Sequence, residues 1–309
     1  MDALNVGSFL VVVSLCLSIT IDMGLRVAHV DRQGLAARLA GAWVTQSRTL
    51  PAAAAAPITA EAPALEVPVD AGNSMPAAPG SPLPEVVSHG NRASRMVALT
   101  FDSNMTPAML QALDRGKVRR YVNDRVIAEL RELRVPATFF LSGLWVERYP
   151  DVARAIGADP LFEVGSHSYN HLAFRPDCYQ LGTIDLTRAS DDLLRNRTVL
   201  SGVTDHPTNF FRFPGGCYDA AALAAIRPAG VQVIQYDLPS GDAFETRPAE
   251  IVSHTVAGAR PGSIIVMHIT GGNTAPMTDR ALPEIVKQLR ARGYQLVRLS
   301  DLLREGGAG

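Results

Sequence analysis

From about residue 94 onward the chain alternates short apolar runs with stretches whose apolar residues recur every three or four positions. The runs Met96–Phe101, Ala137–Leu141, Leu161–Val164, Asn209–Phe213, Val231–Tyr236, Ser263–His268 and Tyr294–Leu299 predict strands of a parallel sheet covered on both faces. Between them, Val122, Val126, Ile127, Leu130 and Leu133 form one helical stripe. Ile285, Val286 and Leu289 form another, closed by Gly293. This alternation of strands and helices predicts a parallel α/β fold, either a barrel or an open doubly wound sheet, and periodicity does not choose between them.

Upstream the pattern changes. No charged side chain occurs from Ala3 to Ile21, and the stretch from Phe9 to Ile21 is strongly apolar. At a rise of about 1.5 Å per residue it is just long enough to cross a bilayer core as a helix. It lacks the basic start and the nearby small-residue cleavage site of a secretory signal, so an uncleaved anchor, a cleaved signal and a buried helix all remain as readings. Cys16 follows the bulky Leu15, a poor setting for a lipoprotein cysteine. Between Pro51 and Pro84 stand eight prolines and eleven alanines, a composition that breaks helix and sheet alike and predicts an extended spacer. The chain therefore divides into a signal or membrane anchor (1–30), a Pro/Ala-rich linker (31–93) and a folded domain (94–305). This order predicts an exported or membrane-anchored protein whose domain works in the periplasm or outside the cell.

Composition sharpens that division. Of the 309 residues 47% are hydrophobic and 19% charged, with a formal net charge of -1. The charged fraction lies below the roughly 25% of an ordinary soluble domain. Residues 1–90 account for the deficit with 4 Lys/Arg and 7 Asp/Glu, whereas residues 91–309 carry 25 and 23. The near balance gives no case for a nucleic-acid partner.

The chemistry-bearing residues fall at the C-terminal ends of the predicted strands. Asp102 follows the first strand, His167 the third, Asp237 and Asp242 the fifth; Arg212 lies in the fourth and His268 ends the sixth. In parallel α/β folds that edge gathers the loops and the active site. His167-Ser-Tyr-Asn-His171 sets two imidazoles four residues apart, so one helical turn would bring both to one face, half of a divalent metal site.

These segments resemble the five motifs of the NodB-homology polysaccharide deacetylases, carbohydrate esterase family 4. The motifs here read Thr100-Phe-Asp102, His167-Ser-Tyr-Asn-His171, Arg212-Phe-Pro-Gly-Gly216, Tyr236-Asp-Leu-Pro-Ser-Gly-Asp242 and Ile265-Val-Met-His268, in order over residues 96–304. The resemblance implies a distorted (β/α)7-type barrel and a metal-dependent hydrolase that removes N-acetyl groups from an N-acetylhexosamine polysaccharide such as peptidoglycan, a chitin-like glycan or an exopolysaccharide. It implies a divalent metal, zinc foremost, with cobalt, nickel and manganese as alternatives, held by His167 and His171. Asp102 would be the general base and His268 the general acid; Arg212 would pair with Asp102, and Asp242 would orient His268. A backbone N–H near Gly215 and Gly216 would face the oxyanion.

Three positions depart from the family pattern. Ser103 and Asn104 stand where a second Asp normally supplies the third metal ligand, leaving a site completed by Asn104 or Ser103, a weakened site, or an empty one in a glycan-binding pseudoenzyme. Ala243 replaces a groove-lining Trp, with Phe244 as its substitute, and Gly215 stands where an aromatic residue is common. Both changes remove ring surface that a sugar could stack on. An O-acetyl esterase on the same scaffold is the alternative enzyme.

Smaller features carry less. Cys178 and Cys217 fall in loops above consecutive strands, where either a disulfide or two free thiols would fit. Tyr169 and Tyr179 offer rings to a sugar, with core packing as the alternative reading. The basic run from Arg115 to Arg120 reads as a solvated loop or an anionic-glycan contact, and Trp145 reads as core. No role falls to His29, His206 or His254.

Overall fold

The computed structural model describes residues 82–272 and 274–304. The predicted anchor or signal and most of the linker lie outside the described residues. Among the described residues no helix is long and apolar enough to cross a membrane.

All the pairings between named strands are parallel. The strands are β1 (Val86–Val87), β2 (Met96–Ser103), β3 (Ala137–Leu141), β4 (Phe162–Ser166), β5 (Phe210–Phe211), β6 (Gln232–Ile234), β7 (Leu238–Pro239), β8 (Ile264–His268) and β9 (Gln295–Val297). Their order is β1-β6-β5-β4-β3-β2-β8-β7, with β9 also on β2. Neighbours from β2 to β6 follow chain order, as in a barrel. The ring stays split, because β1 rather than β7 lies against β6. The fold is thus a parallel half-barrel, in line with the barrel that the motifs implied.

Each of the seven apolar runs forms a strand, with ends moved by up to two residues. β1 and β7 have no counterpart in the sequence reading. Two residues each are too few to show a period, and Pro239 is tolerated because β7 ends the sheet. The pairing of β1 with β6 also brings residues upstream of 94 into the folded unit.

Helices cover the sheet: α1 (Pro107–Asp114), α2 (Asp124–Glu132), α3 (Gly143–Arg148), α4 (Pro150–Gly157), α5 (Ala189–Ser201), α6 (Ala220–Ile226), α7 (Pro248–Gly258), α8 (Thr278–Ala291) and α9 (Leu299–Arg304). Their starts follow local chemistry. Thr106 caps α1 by accepting from the Met109 N–H, Asp219 caps α6 by accepting from the Ala222 N–H, and prolines open α1, α4 and α7. The predicted stripes are buried at Val126, Ile127 and Leu130 in α2 and at Ile285, Val286 and Leu289 in α8. Trp145 is core, as expected, and its indole N–H donates to the Tyr121 carbonyl at 2.8 Å.

Register is what positions the site. Asp102 on β2 pairs with His268 on β8, and Ser103, Leu141, Ser166 and Phe211 form one rung across β2, β3, β4 and β5. The next residues along these strands are Asn104, Ser142, His167 and Arg212. Residues far apart in the chain therefore share one edge because buried strands lock their alignment.

Phe139, fully buried, stacks on Phe101 with ring centroids 5.5 Å apart and meets the edge of Phe162 at 5.0 Å. Phe139→Ala is expected to lower unfolding free energy by about 3–5 kcal/mol, measured by urea titration, because it removes ring contacts and leaves a void between strands and helices.

Candidate active site

Arg212 lies at the bottom of the site, 0% exposed. Its Nη1 donates to Asp102 Oδ1 and to Thr100 Oγ1, both at 2.8 Å, so the side chain leaving β5 reaches β2. Nε and Nη2 donate to the carbonyls of Ile234 and Gln235 at 3.4 and 3.3 Å, and the guanidinium carbon lies 4.0 Å from the centre of the Phe140 ring. Every nitrogen of the fork is thereby satisfied, which a fully buried cation requires.

Asp102 Oδ2 faces His167 Nε2 at 3.5 Å. The Nδ1–H of His167 donates to the Arg212 carbonyl at 2.9 Å, which leaves a lone pair on Nε2 in the neutral ring. Burial disfavours the imidazolium and pulls the His167 pKa down, overcoming the pull of Asp102 the other way. Two electron-rich atoms thus confront each other in a buried place. His171, only 2% exposed, is held neutral by burial and by the neighbouring imidazoles of His167 and His268, and neither of its ring nitrogens has a hydrogen-bond partner. Its ring meets that of His167 edge-on, centroids 4.8 Å apart. Asn104 Oδ1 is a third buried acceptor without a partner. Ser103 offers less, since its Oγ already accepts from the Ser142 N–H at 3.2 Å.

Such a set of unpartnered acceptors suits a divalent cation, with His167, His171 and the Asn104 oxygen as ligands. None of these three donors is an anion, and the nearby negative charge is the Asp102 carboxylate. Among the described residues no group of three or more His, Cys, Asp and Glu is arranged to hold a metal, so a site here depends on the asparagine.

The two histidines reach this place by a route other than the predicted helical turn. Residues 167–171 form a loop in which Ser168 and His171 take left-handed φ values of 63° and 51°. Ser168 Oγ accepts from the His171 N–H at 3.0 Å. Asp192, in the first turn of α5, accepts from the Tyr169 N–H at 2.7 Å and from the Asn170 backbone and side-chain N–H groups at 3.3 and 3.1 Å. Asn196, one turn on, donates to the Leu141 carbonyl and to Ser166 Oγ. Sequence reasoning missed both residues, because an acid in the first turn of a helix reads as a partner of the helix dipole and an asparagine within a helix carries no signal of its own.

On the other side, the Nδ1–H of His268 donates to Asp242 Oδ1 at 2.9 Å and its backbone N–H to Oδ2 at 2.8 Å. Ser240 and Thr278 hydroxyls donate to the same carboxylate at 2.9 and 2.7 Å. Burial alone would push Asp242 up; the His268 charge and these hydrogen bonds hold it below the usual range. Burial likewise penalises the His268 cation, yet the Asp242 carboxylate raises its pKa above the ordinary value. The site therefore contains two kinds of histidine, one in which burial disfavours the imidazolium and one in which a carboxylate favours it.

Gly215 and Gly216 lie on a short turn with φ of 65° and 68°. A Cβ on Gly215 would stand 2.6 Å from Cys178 Sγ, and one on Gly216 would stand 2.5 Å from the Tyr236 hydroxyl. Cys178 and Cys217 are bonded as a disulfide. Its sulfur fills the space that an aromatic residue at position 215 would need.

Two expectations are corrected. Tyr169 is 3% exposed, with its hydroxyl donating to Glu147 and accepting from Arg195, so it packs within the protein and offers no ring to a sugar. Asp237 precedes β7 and joins Arg92, Ser263 and the Ile264 N–H, at the start of β8 rather than at the end that carries His268. Four strand steps, about 13 Å, separate the two ends.

Residues 89–234 match the family model described as polysaccharide deacetylase. That stretch carries Asp102, His167, His171 and Arg212 and stops before Asp242 and His268. Among curated proteins, a peptidoglycan-N-acetylglucosamine deacetylase of Bacillus cereus is 28% identical over 212 residues, 68% of this chain and 89% of that protein. A chitooligosaccharide deacetylase of a Bradyrhizobium species is 27% identical over 220 residues, 68% and 91%. Among solved structures, a peptidoglycan N-acetylglucosamine deacetylase aligns with a TM-score of 0.59 at 22% identity, covering 72% of this chain and 94% of that one. A carbohydrate esterase family 4 pseudoenzyme from Bacillus anthracis aligns with a TM-score of 0.56 at 23% identity, covering 71% and 69%. At these identities the two structures show the shared fold.

Arg212→Met is expected to cost about 3–5 kcal/mol of unfolding free energy, since it strands the Asp102 carboxylate among buried groups. Adding Asp102→Asn to that variant should recover part of the loss, and chemical denaturation of both variants measures it.

Proposed function

Residues 89–234 match the polysaccharide deacetylase family model, and from that premise we propose that the chain is a member of this family, a hydrolase removing N-acetyl groups from a polysaccharide that contains N-acetylglucosamine. The single observation that carries the reading is the pairing of a buried Arg212–Asp102 ion pair with a separate Asp242–His268 pair across one strand register. Amide hydrolysis needs a base toward the attacking water and an acid toward the departing amine. Asp102 is suited to the first task, with Oδ1 held by Arg212 and Oδ2 left toward the interior of the site. His268 is suited to the second, because Asp242 fixes its Nδ1–H and leaves Nε2 to present a proton to the nitrogen.

His167, His171 and Asn104 would hold a divalent cation, zinc foremost. When bound, such a cation supplies Lewis acidity toward water and the acyl oxygen. In the turn that ends β5, the Gly216 N–H is taken by the Phe213 carbonyl and the Cys217 N–H by that of Pro214, so Gly215 offers the candidate backbone donor toward an oxyanion. The disulfide, a bond that persists in oxidising compartments, and the apolar segment near the N-terminus support work outside the cytoplasm.

A second reading, a glycan-binding protein without turnover, is favoured by one observation. The position of the family's usual carboxylate ligand is Ser103, whose hydroxyl faces Ser142. Acetate release from N-acetylglucosamine oligomers and from peptidoglycan separates the two: chelator-sensitive release supports the enzyme, and no acetate from any glycan sinks it. O-acetylated glycans as better substrates would favour the esterase.

Zinc added to the chelator-stripped protein is expected to stabilise the fold by about 2.7 kcal/mol at a hundredfold excess over Kd and so to raise Tm, and His171→Ala should abolish the rise. This is checked by thermal unfolding with and without metal.

The raised pKa of His268 has a definite sign for rate. The proton-bearing form persists to higher pH than for a free imidazole, and its contribution is lost as pH rises through the folded value. Asp242→Asn removes the charge responsible, so the alkaline limb of kcat/KM should move to lower pH. An unmoved limb in a pH–rate profile would argue against His268 as the acid.

A further inference from the structure

Among the described residues the large hydrophobic side chains left exposed are Leu83, Leu194, Tyr179 and Phe244. The two aromatic members, 65% and 75% exposed, come from loops 65 positions apart and touch, with ring centroids 5.7 Å apart and planes inclined by 33°. Mutual contact covers little of either ring. Among the described residues the other aromatic side chains are buried or half-buried, and contiguous exposed apolar surface beside a site marks a place where something else binds.

Both rings stand at the rim already described. Phe244 is two residues past Asp242, on the turn that opens with Gly241. Tyr179 directly follows Cys178, whose disulfide ties the loop to Cys217 beside the Gly215–Gly216 turn. The Tyr179 ring comes within 3.1 Å of where a Cβ of Gly215 would stand. Its backbone is held in an unfavourable region: Asp177, Tyr179 and Gln180 take φ of 58°, 46° and 58°. Non-glycine residues in that region each cost on the order of 1 kcal/mol, and a run of them persists only where surrounding structure enforces it. Here the disulfide and the Gly215 contact enforce it, and they present the Tyr179 ring outward.

We propose that Tyr179 and Phe244 form a stacking platform for a pyranose ring of the glycan, next to the sugar whose acetamide lies at Asp102 and His268. The proposal rests on the deacetylase reading of the site. A pyranose offers a face of C–H groups to an aromatic ring while its hydroxyls stay in water at the edges, which matches two open rings on a solvated rim. The ring surface lost at positions 215 and 243 is thus supplied from a different pair of positions. The inclination of the planes suits a bent contact with one sugar and its neighbour better than a flat one.

Binding of the N-acetylglucosamine tetramer to full-length protein carrying His268→Ala, measured by calorimetry, tests the platform without turnover. Adding Tyr179→Ala and Phe244→Ala together should weaken affinity about tenfold, or about 1.4 kcal/mol. Tyr179→Phe, which keeps the ring, should retain affinity, and Leu194→Ala should change nothing. Affinity within twofold of the His268→Ala parent in the double variant, with unaltered Tm, would overturn the platform, as would absence of tetramer binding by that parent. So would loss of self-association in the double variant with no effect on glycan, the mark of a second copy as the occupant. Acetate release by wild-type protein is scored separately: ring-dependent binding without acetate sinks the enzyme reading and keeps the platform, whereas acetate with ring-independent binding does the reverse.

Discussion

A fully buried guanidinium with one carboxylate partner is the constraint around which this domain is organised. Arg212 leaves the short strand β5, reaches the Asp102 and Thr100 side chains of β2, and closes on the carbonyls of Ile234 and Gln235 where the ring of strands is split. Such a cation is tolerated only if each N–H has an acceptor and the charge has a partner. Those demands fix the spacing of β5, β6 and β2 at the edge where chemistry would occur. The carbonyl of Arg212 then orients His167, so one residue aligns both the proposed base and a proposed ligand.

Around that centre the electrostatics divide the site. On the His167 and His171 side, burial and neighbouring imidazoles keep nitrogen lone pairs free, and the unpartnered Asn104 oxygen adds a third acceptor. On the His268 side, a carboxylate anchored by Ser240 and Thr278 favours the imidazolium. The same residue type thus acquires opposite character over a short span because burial outweighs the Asp102 charge at His167, whereas the hydrogen-bonded Asp242 carboxylate outweighs burial at His268. The disulfide and the left-handed residues Asp177, Tyr179 and Gln180 work on a different level, holding a loop whose exposed ring meets Phe244.

Much of the fold was legible because buried parallel strands leave uninterrupted apolar runs. β1 and β7 were not, being two residues long, and the loop bearing His167 and His171 resembled a helical turn because two histidines at that spacing look the same in either conformation. Tyr169 and Tyr179 could not be distinguished by type. One is enclosed by Glu147 and Arg195, and the other projects from a loop stapled at Cys178.

The sequence by itself determined the parallel α/β class, the seven main strands, the five motif segments and the placing of Asp, His and Arg residues at strand ends, since each is written in local pattern and residue type. Only the tertiary structure decided that Asp102 and His268 sit side by side, that Asp237 lies at the opposite edge, that Ser103 turns away while Asn104 keeps a free oxygen, and that Cys178 meets Cys217. Those facts depend on strand register and on which partner fills each buried hydrogen bond, quantities set between segments far apart in the chain and carried by none of them alone.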